Sequence, residues 1–463
     1  MYKLNYFNFK KKNGKYIITN DLGNYMFISA DMFERMIKKE QLEKSVYEEL
    51  IKKCFIYDEN EEIFATDAAM DVRRQKENLL TPTSLHIFVV TKNCNFNCIY
   101  CQAGKLGEDK NFKMSKDIAK KSVDIALQSP SNYLTFEFQG GEPLLNFEII
   151  KYIIEYSKEN KKEKNIEYNL VSNLTLLTDE MMEFFTENNV SICTSIDGDR
   201  ELQNKNRPFK NKDSYEETTK QFEKIKELNP SISAIETTTK FSLENYKEIV
   251  DTYIELGLNN VFIRPLTKLG KADYNWGKIG YSAEDFLKFY KNVLEYILEK
   301  NKEGINISEG LACILLKKIL KTNPMNYMEL RSPCGGAIGQ LAYYYDGNIY
   351  TCDEGRMLAE MGDESFKIGN VNYSTYKDLM NTDSTKAMCI SSCLECLPYC
   401  ENCVYNPFCG TCPVINLAQD DNIFPKHPKE FRCKIYGGIL DILFNYIYEN
   451  DEEIMKIFEN WVN

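Results

Sequence analysis

Residues 94–101 read Cys-Asn-Phe-Asn-Cys-Ile-Tyr-Cys and directly follow an apolar, β-prone run at 85–91. A short loop with three thiolates at this C-x3-C-x2-C spacing can bind three irons of a cubane [4Fe–4S] cluster and leave the fourth iron free for a substrate or cofactor. A zinc loop is the alternative, but zinc usually takes a fourth ligand, and Cys193 is the only other cysteine between 84 and 271. We therefore interpret this loop as an iron–sulfur site at the end of a strand.

Cysteine outnumbers histidine by 16 to 2 in this chain of 463 residues, and half of the cysteines lie between Cys389 and Cys433. His86 and His427 are far apart, so histidine-dominated zinc or copper sites are not expected and a Ser-His-Asp triad would have to use one of them. No apolar signal segment follows Met1, and no apolar run approaches the roughly 18 residues that span a membrane. We expect a cytoplasmic protein whose clustered cysteines bind metal rather than form disulfides.

The length and the net charge narrow the function further. A chain of 463 residues is long enough to divide into two or three domains. Its 57 basic and 69 acidic side chains give a net charge of −12. Nucleic acid is therefore not expected as the main partner, because a phosphate-binding surface would have to be a local patch.

From residue 85 onward, β-prone runs alternate with segments of helical periodicity. Such alternation predicts parallel strands joined by right-handed crossovers, with functional residues at the C-terminal ends of the strands. Six units are two short of the eight-fold barrel, so the expected fold class is α/β with a partial (β/α)6 TIM-like barrel. The predicted strands lie at 85–91, 133–138, 166–171, 190–195, 231–237 and 260–264.

The first 70 residues predict a small α/β module. A turn at Asn13-Gly14 separates two β-prone runs at 4–9 and 15–19, Ser29 caps a helix at 30–39, and a second helix follows at 45–55. Strands followed by helices fit a winged-helix-like shape. The expected organisation is this module at 1–70, a polar linker at 71–83, the barrel at 84–271, a helical connector at 272–333, a cysteine-rich domain at 334–438 and a closing helix at 439–463.

The barrel segment, 84–271, resembles the radical S-adenosylmethionine (SAM) superfamily. The resemblance rests on the three-cysteine loop and on the Phe-Gln-Gly-Gly-Glu-Pro stretch at 138–143, in the expected order. It implies that Cys94, Cys98 and Cys101 hold a catalytic [4Fe–4S] cluster whose open iron binds the amino and carboxylate groups of SAM. In this family one electron cleaves the sulfonium, and the resulting 5′-deoxyadenosyl radical removes a hydrogen atom from the substrate.

The same resemblance implies a set of cofactor contacts at the strand ends. Paired glycines let the backbone approach the methionine amino group, polar residues at the next strand ends contact the ribose and carboxylate, and a tyrosine lies near adenine. An arginine fork suits the cofactor carboxylate, although an exposed salt bridge is the alternative for that residue. The implied contacts are Tyr100, Gly140, Gly141, Glu142, Ser172, Asn173, Ser195, Asp197 and Arg207.

Residues 334–433 resemble the SPASM extension of this superfamily, with its pattern C-x9–15-G-x4-C, C-x2-C-x5-C-x3-C and a final C. Gly347 stands at the expected place, but the last internal spacing is two instead of three, and Cys389, Cys393 and Cys396 are additional. A zinc ribbon would need C-x2-C pairs about 15–20 residues apart. One of the two clusters implied by this resemblance, the proximal one, has only three assigned cysteines, so its fourth iron is either open or bound by one of the additional cysteines. The resemblance assigns Cys400, Cys403, Cys409 and Cys433 to a distal auxiliary [4Fe–4S] cluster, and Cys334, Cys352 and Cys412 to a proximal one.

Three residues are candidates for acting on the substrate. Asp353 follows a cluster cysteine, and the resemblance to sulfatase-maturing members implies that it accepts a proton. A carboxylate is also the more plausible base because no histidine is near in sequence. Gln139 precedes the paired glycines, and Arg264 ends the last predicted strand, where a substrate contact or a structural ion pair would both fit.

Together these features predict a radical SAM enzyme with a SPASM domain that abstracts hydrogen from a residue of a ribosomally made precursor peptide, forming a cross-link or an oxidised side chain. The N-terminal module would capture the leader of that peptide by strand addition. The stretch at 405–410 most resembles maturases of His-Xaa-Ser repeat peptides. The expected partners are the peptide and an external one-electron reductant of the flavodoxin or ferredoxin type, with no nucleic acid and no membrane.

Two alternatives stand beside this interpretation. A sulfatase-type maturase that makes formylglycine fits the barrel and the SPASM region but leaves the first ~70 residues without a task. An iron–sulfur sensor that binds DNA through the winged helix is the non-enzymatic alternative, and the acidic charge balance argues against it.

Overall fold

The computed structural model describes most of the chain, and Asn13 of the predicted turn and His427 lie outside the described residues. Those residues are 2–12, 14–58, 61–103, 105–106, 112–322, 325–426, 428 and 430–463.

The N-terminal part forms two small antiparallel sheets and three helices. The first predicted strand, at 4–9, is divided in two, and its second part begins at Asn8. Asn5, between the two parts, is bonded to the segment after the second helix, from its backbone N–H to Phe55 O and from its side chain to Cys54 O. Ser29 caps the first helix as predicted. The elements are strands β1 (Lys3–Leu4), β2 (Asn8–Lys12), β3 (Lys15–Thr19), β4 (Tyr25–Ser29) and β5 (Ile56–Tyr57), with helices α1 (Ala30–Lys38), α2 (Lys44–Lys52) and α3 (Glu61–Gln75).

Two pairings organise this part. β1 pairs with β5, and β2, β3 and β4 form a meander. Helix α3 runs across the predicted boundary at 70/71, so the first half of the predicted linker is helical.

The meander is docked on the cysteine-rich region. The Asn8 amide donates to the carbonyls of Glu401 and Cys403, and Thr19 Oγ1 donates to Val404 O at 2.8 Å. Lys12 of the same sheet pairs with a carboxylate of a C-terminal helix. The N-terminal part and the cysteine-rich region therefore share an interface.

The predicted parallel sheet is confirmed. All six predicted strands are present, lie side by side and run parallel, within a sheet of ten strands. A seventh parallel strand at the far edge has only two residues, too few to show a pattern in the sequence. The strands are β6 (Leu85–Thr91), the short pair β7 (Asn93–Cys94) and β8 (Lys105–Leu106), β9 (Tyr133–Gly140), β10 (Asn165–Val171), β11 (Val190–Ser195), β12 (Ser233–Thr237), β13 (Asn260–Arg264) and β14 (Ser308–Glu309).

Helices between these strands cover one face of the sheet. Phe136 and Phe138 of β9 point to that side and join the main apolar core. Because side chains alternate along a strand, Glu137 and Gln139 point to the opposite, inner side. The helices are α4 (Lys116–Ala126), α5 (Phe147–Asn160), α6 (Asp179–Glu187), α7 (Arg200–Asn206), α8 (Ser214–Leu228), α9 (Tyr246–Glu255), α10 (Lys271–Tyr274), α11 (Trp276–Ile279), α12 (Ala283–Lys302) and α13 (Gly310–Leu320).

The cysteine-rich region continues the same sheet. Its first strand pairs parallel with β6, and two antiparallel strands follow, so this region does not fold apart from the barrel. The helix that begins at Phe431 crosses the predicted boundary at 438/439, and a further helix closes the chain. The elements are β15 (Gln340–Tyr343), β16 (Asn348–Tyr350), β17 (Lys367–Asn370), α14 (Asp353–Glu360), α15 (Tyr376–Met380), α16 (Asp383–Ile390), α17 (Pro413–Asp420), α18 (Phe431–Glu449) and α19 (Glu452–Val462).

Within the described residues, none of these helices combines the length and the apolar character needed to cross a bilayer.

One of the two histidines is a core residue. His86 of β6 has no accessible surface, its Nδ1 lies 3.0 Å from the Tyr343 hydroxyl, and its ring packs against those of Phe136 and Tyr343. Burial lowers the pKa of His86 to about 3. The side chain is therefore a neutral part of the junction between β6 and β15.

We expect this histidine to make the fold acid-sensitive. Since its pKa falls from 6.5 to about 3 on folding, the unfolded chain takes up the proton first. The free energy of unfolding is therefore unaffected by this histidine above pH 6.5 and decreases progressively as the pH falls towards 3. The decrease is about 2 kcal/mol at pH 5. Urea unfolding at pH 5 and pH 7.5 measures this loss, and His86→Leu should reduce it. Equal losses in both proteins would contradict the assignment.

Candidate active site

The three-cysteine loop follows β6 and is held by hydrogen bonds to the segment at the end of α7 and by one bond within the loop. Backbone bonds join Asn97 N to Pro208 O and Ile99 N to Asn206 O, both at 2.9 Å, and Cys94 Sγ accepts from the Phe96 N–H. These bonds hold the loop against the segment that follows α7.

The loop forms one wall of a cleft of about 1060 Å³ at the C-terminal ends of the parallel strands. Most of the predicted site residues line the cleft, at the edge of the sheet where functional residues are expected. Phe96, Thr237 and Met357 line it too and carry no motif that could have identified them. The predicted residues in the lining are Cys94, Cys98, Tyr100, Cys101, Gln139, Gly140, Gly141, Glu142, Ser172, Asn173, Ser195, Arg207 and Arg264.

The paired glycines are bonded directly to the start of the cysteine loop. Gly141 N donates to Thr91 O at 2.9 Å, and Glu142 N donates to Asn93 O at 2.7 Å. A Cβ atom on Gly141 would lie 2.2 Å from Asn93 O, and one on Gly140 would lie 2.4 Å from Thr91 O. Only glycine allows this approach of two backbones.

The Glu142 carboxylate ties the second strand end to the third. It accepts hydrogen bonds from Leu144 N, Ser172 Oγ and Asn173 N at 2.7–3.0 Å. Burial nevertheless raises the pKa of Glu142 to about 7. The Asn173 amide in turn donates to Asn95 Oδ1, inside the cysteine loop.

Tyr100, Asp197 and Arg207 form a buried network beside the loop. Tyr100 OH donates to Asp197 Oδ2 at 2.7 Å, Arg207 Nη2 donates to Oδ1 at 3.1 Å, and the guanidinium stands 5.2 Å from the tyrosine ring centre. Asp197 has no accessible surface and lies behind the cleft wall. We therefore revise its predicted direct cofactor contact to a positioning role. Arg207 Nε has no partner among the described residues and is a free donor at the cleft.

Two predicted substrate residues point into the cleft. The Gln139 amide donates to Glu137, a buried carboxylate whose pKa is raised by burial. Arg264 Nη2 lies 3.7 Å from carboxylate oxygens of both Glu329 and Glu354, beyond hydrogen-bond reach. Glu137 was missed, although the alternation of polar and apolar residues in β9 could have shown a polar inner face.

Arg264 also borders a second cavity of about 520 Å³ that adjoins the first. Pro265 and Thr267 line both spaces, and Tyr327, Arg432 and Tyr436 line only the second one. The strand end after β13 therefore connects the cleft with the cysteine-rich region.

Asp353, the third predicted residue, does not line the cleft. Its carboxylate forms a buried ion pair with Arg356, one turn later in α14, and the Arg356 guanidinium stands 5.6 Å from the Tyr344 ring centre. Met357 of the same helix does reach the cleft. Asp353 is thus close to the cleft, but its carboxylate is bonded to Arg356 and does not line the cleft.

Comparison with known proteins identifies the barrel. Residues 88–256 match the model of the Radical SAM superfamily. This chain carries a radical SAM domain. SAM and a [4Fe–4S] cluster are the cofactors of this superfamily, and the chain is a radical SAM enzyme.

Relatives extend beyond the radical SAM domain. The cysteine-type anaerobic sulfatase-maturating enzyme of Clostridium perfringens (strain 13 / Type A) is 25% identical over 385 residues, which cover 79% of this chain and 100% of that protein. The solved structure of native anSMEcpe with bound AdoMet and Cp18Cys peptide has a TM-score of 0.67 at 21% identity, covering 82% of this chain and 99% of that one. Streptococcus suis SuiB bound to its precursor peptide SuiA has a TM-score of 0.55 at 17% identity, covering 93% and 99%. Both structures share the fold.

Beyond the radical SAM domain, the seven predicted auxiliary ligands separate into two sets. In the proximal set, burial raises the pKa of Cys352 and Cys412, and the neighbouring thiols of the set and the Glu354 carboxylate raise it further. In the distal set, burial raises the pKa of Cys433 to about 12, and the charges of Cys409 and Cys403 add to this. The proximal set is Cys334, Cys352 and Cys412, and the distal set is Cys400, Cys403, Cys409 and Cys433.

These donor sets suit iron–sulfur clusters. Burial also raises the pKa of Cys98 to about 12, so thiolates at these places need cations, which cluster irons supply. Among the described residues no three His, Cys, Asp or Glu side chains are close enough to share a single metal ion. In a cubane each thiolate binds its own iron.

Two of the three additional cysteines lie next to each other, and the third lies elsewhere. Cys393 Sγ is 3.8 Å from Cys396 Sγ and 3.4 Å from a Glu395 oxygen. Cys389 instead stands near Arg331, whose charge also acts on Cys334. Of the three, Cys389 is the one that shares a charged neighbour with the proximal set.

We predict that Gly141→Ala separates the glycine pair from the cysteine loop, because the new methyl group meets backbone atoms that cannot move independently. The affinity for SAM in the iron-reconstituted protein should fall at least tenfold, about 1.4 kcal/mol. Isothermal titration under anaerobic conditions measures it. Gly277→Ala is the matched control, since a Cβ there meets nothing within 4 Å. Equal losses in the two variants would contradict the close-approach argument.

Proposed function

We propose that this radical SAM enzyme modifies a peptide or protein by abstracting a hydrogen atom from one of its residues, and that the product is a cross-link or an oxidised side chain. The observation that carries the proposal is the cleft, in which the three-cysteine loop, the glycine pair and the polar strand ends meet beside a second cavity that residues of the cysteine-rich region help to line. Relatives named as sulfatase-maturating enzymes and a solved neighbour bound to a precursor peptide support a peptide or protein substrate.

The loop cysteines, the glycine pair and Arg207 are proposed to bind the catalytic cluster and SAM. When bound, the catalytic cluster and SAM supply the 5′-deoxyadenosyl radical, and auxiliary clusters supply electron acceptors. Cys94, Cys98 and Cys101 hold the catalytic cluster. The exposed backbone of the glycine pair orients the methionine amino group, and the unpartnered Nε of Arg207 donates to the methionine carboxylate.

The remaining predicted contacts shape the cofactor site. Tyr100 covers the adenine side, held by its bond to Asp197. Ser195 contributes a strand-end contact to the ribose. Ser172 and Asn173 are engaged by Glu142, so they orient the third strand end and offer the cofactor their remaining polar atoms.

Substrate residues are proposed to enter between the two cavities. Arg264 has free donors there, because its two carboxylate neighbours are 3.7 Å away. Gln139 is oriented by Glu137 and offers its carbonyl to the substrate. Asp353 remains the proposed proton acceptor, with Glu137 within its electrostatic reach and Arg356 fixing its orientation.

Two finer functions fit this chemistry. The first is maturation of a ribosomally made precursor peptide of the His-Xaa-Ser repeat type. This function accounts for the N-terminal part, whose sheet would bind the leader peptide by strand addition. The likeness to SuiB covers 93% of the chain, against 82% for the sulfatase-maturating structure. Formylglycine formation is favoured by the relative that matches 79% of the chain and 100% of its own length.

We predict that the reconstituted chain, given dithionite and SAM under anaerobic conditions, forms 5′-deoxyadenosine. Cys94→Ala should reduce this at least a hundredfold, because a thiolate of the catalytic cluster is lost. Cys313→Ala is the matched control, a partly buried thiol of α13 outside all three sets. Liquid chromatography with mass detection measures the product. If the wild-type chain forms none, the proposed function fails.

The two finer functions predict different products. A cross-link removes two hydrogens and leaves no carbonyl, whereas formylglycine formation from cysteine replaces sulfur by an aldehyde oxygen. We expect a small open reading frame beside the gene to encode the substrate peptide, and we expect this neighbouring peptide, when co-expressed with this chain, to lose two hydrogens and to stay inert to a hydrazide reagent. Tandem mass spectrometry locates the change. A hydrazide-reactive product from a cysteine-containing sulfatase peptide, with the neighbouring peptide unchanged, would favour the formylglycine function instead.

A further inference from the structure

Two buried cations lie beside the auxiliary cysteine sets without a carboxylate partner. Lys318 of α13 is 7% exposed, and its Nζ donates to one carbonyl, that of Leu330. Arg331 is 6% exposed, donates to Pro333 O and to the Asn326 side chain, and has no partner for Nη2. Among the described residues neither cation forms an ion pair.

Two of the acidic groups nearby are already paired, and Asp21, which lines one cavity with both cations, forms no ion pair with either of them among the described residues. Glu395 pairs with Lys76, and Glu329 pairs with Arg432. An unpaired cation in the interior costs several kcal/mol, so buried charges are normally matched by a counter-charge or a metal site. The missing counter-charge should therefore be negative and lie close to both cations.

Each cation stands next to a different set of thiols. Lys318, Arg331 and Cys409 line one small polar cavity. The loop after Cys409 runs directly over the segment that carries Arg331, since a Cβ on Gly410 would lie 2.3 Å from Glu329 O. Lys318 of the buried helix face shares this cavity with Cys409 of the distal set, whereas Arg331 Nε donates to the carbonyl of Pro333, the residue directly before Cys334 of the proximal set. The charges of the two cations act on these same two thiols.

We propose that Lys318 and Arg331 are the counter-charges of the distal and the proximal auxiliary cluster, respectively, and that each raises the reduction potential of its own cluster. A thiolate-bound cluster is an anion that gains negative charge on reduction. A buried cation therefore stabilises the reduced state more than the oxidised state. The inference rests on the auxiliary clusters of the proposed function but concerns their potentials, not the substrate.

The test is a redox titration of the full reconstituted chain. A background with Cys94, Cys98 and Cys101 all changed to Ala removes the catalytic cluster, so electron paramagnetic resonance reports the auxiliary clusters alone. Lys318→Met should make reduction of one cluster about tenfold less favourable, which is 59 mV for a one-electron couple. Arg331→Met should shift the other cluster in the same direction.

Two charge-preserving variants and one surface variant are the controls. Lys318→Arg and Arg331→Lys should keep potentials near those of the parent, and so should Lys321→Met, because Lys321 is exposed at the end of the same helix. Unchanged potentials in Lys318→Met and Arg331→Met, with both clusters present, would overturn the proposal.

Loss of a cluster is also informative. If Lys318→Met loses the distal cluster while Lys318→Arg keeps it, the positive charge is required and the proposal is supported. If both variants lose it, the side chain serves packing and the proposal is overturned. Iron analysis of the wild-type chain separates this from failure of the proposed function: about four irons per chain would refute the auxiliary clusters, whereas absence of 5′-deoxyadenosine would refute the radical chemistry.

Discussion

The active site depends on the contact between two backbones, the start of the cysteine loop and the glycine pair at the end of β9. Gly141 and Glu142 donate to the carbonyls of Thr91 and Asn93, and no Cβ fits between the two segments. This contact sets the distance between the thiols that hold a cluster and the strand ends that surround its ligand. Glu142 extends the constraint to the third strand end, so hydrogen bonds connect the loop with two strand ends.

Buried charge is the second organising feature. Beside the radical SAM cleft, two buried cations are paired with carboxylates, Arg207 with Asp197 and Arg356 with Asp353. Around the auxiliary cysteine sets the pairing is incomplete, because Lys318 and Arg331 are buried without acidic partners among the residues that the structure describes. This difference in pairing agrees with the proposed clusters. The catalytic site binds and releases its cofactor and therefore needs its charges paired in both states, whereas permanently bound anionic clusters would pair the cations of the auxiliary sites. Burial of an unpaired charge costs free energy, so the two unpaired cations indicate that an anionic group binds beside them.

Local patterns predicted the barrel strands and a set of candidate site residues that the fold brings to one cleft. The six strands appear where their apolar runs lie, and the cleft collects the predicted cysteines, glycines and strand-end residues. The failures have physical causes. The seventh strand is only two residues long, the helix from Phe431 crosses a boundary drawn from composition, and Asp197 is turned away from the cleft by Tyr100 and Arg207. Hydrogen-bonding choices of this kind depend on neighbours that are distant in sequence.

The sequence alone determined the chemistry that the chain can support, because ligand spacing is a local property: three thiols within eight residues, and paired glycines after a strand, need no further context to be recognised. Tertiary structure decided which groups meet. It joined the cysteine-rich region to the barrel through β15, brought Lys318 and Arg331 into one cavity with Cys409, and left Cys393 facing Cys396. Such proximity arises from packing between segments far apart in the chain, where burial makes the charge of each neighbour count.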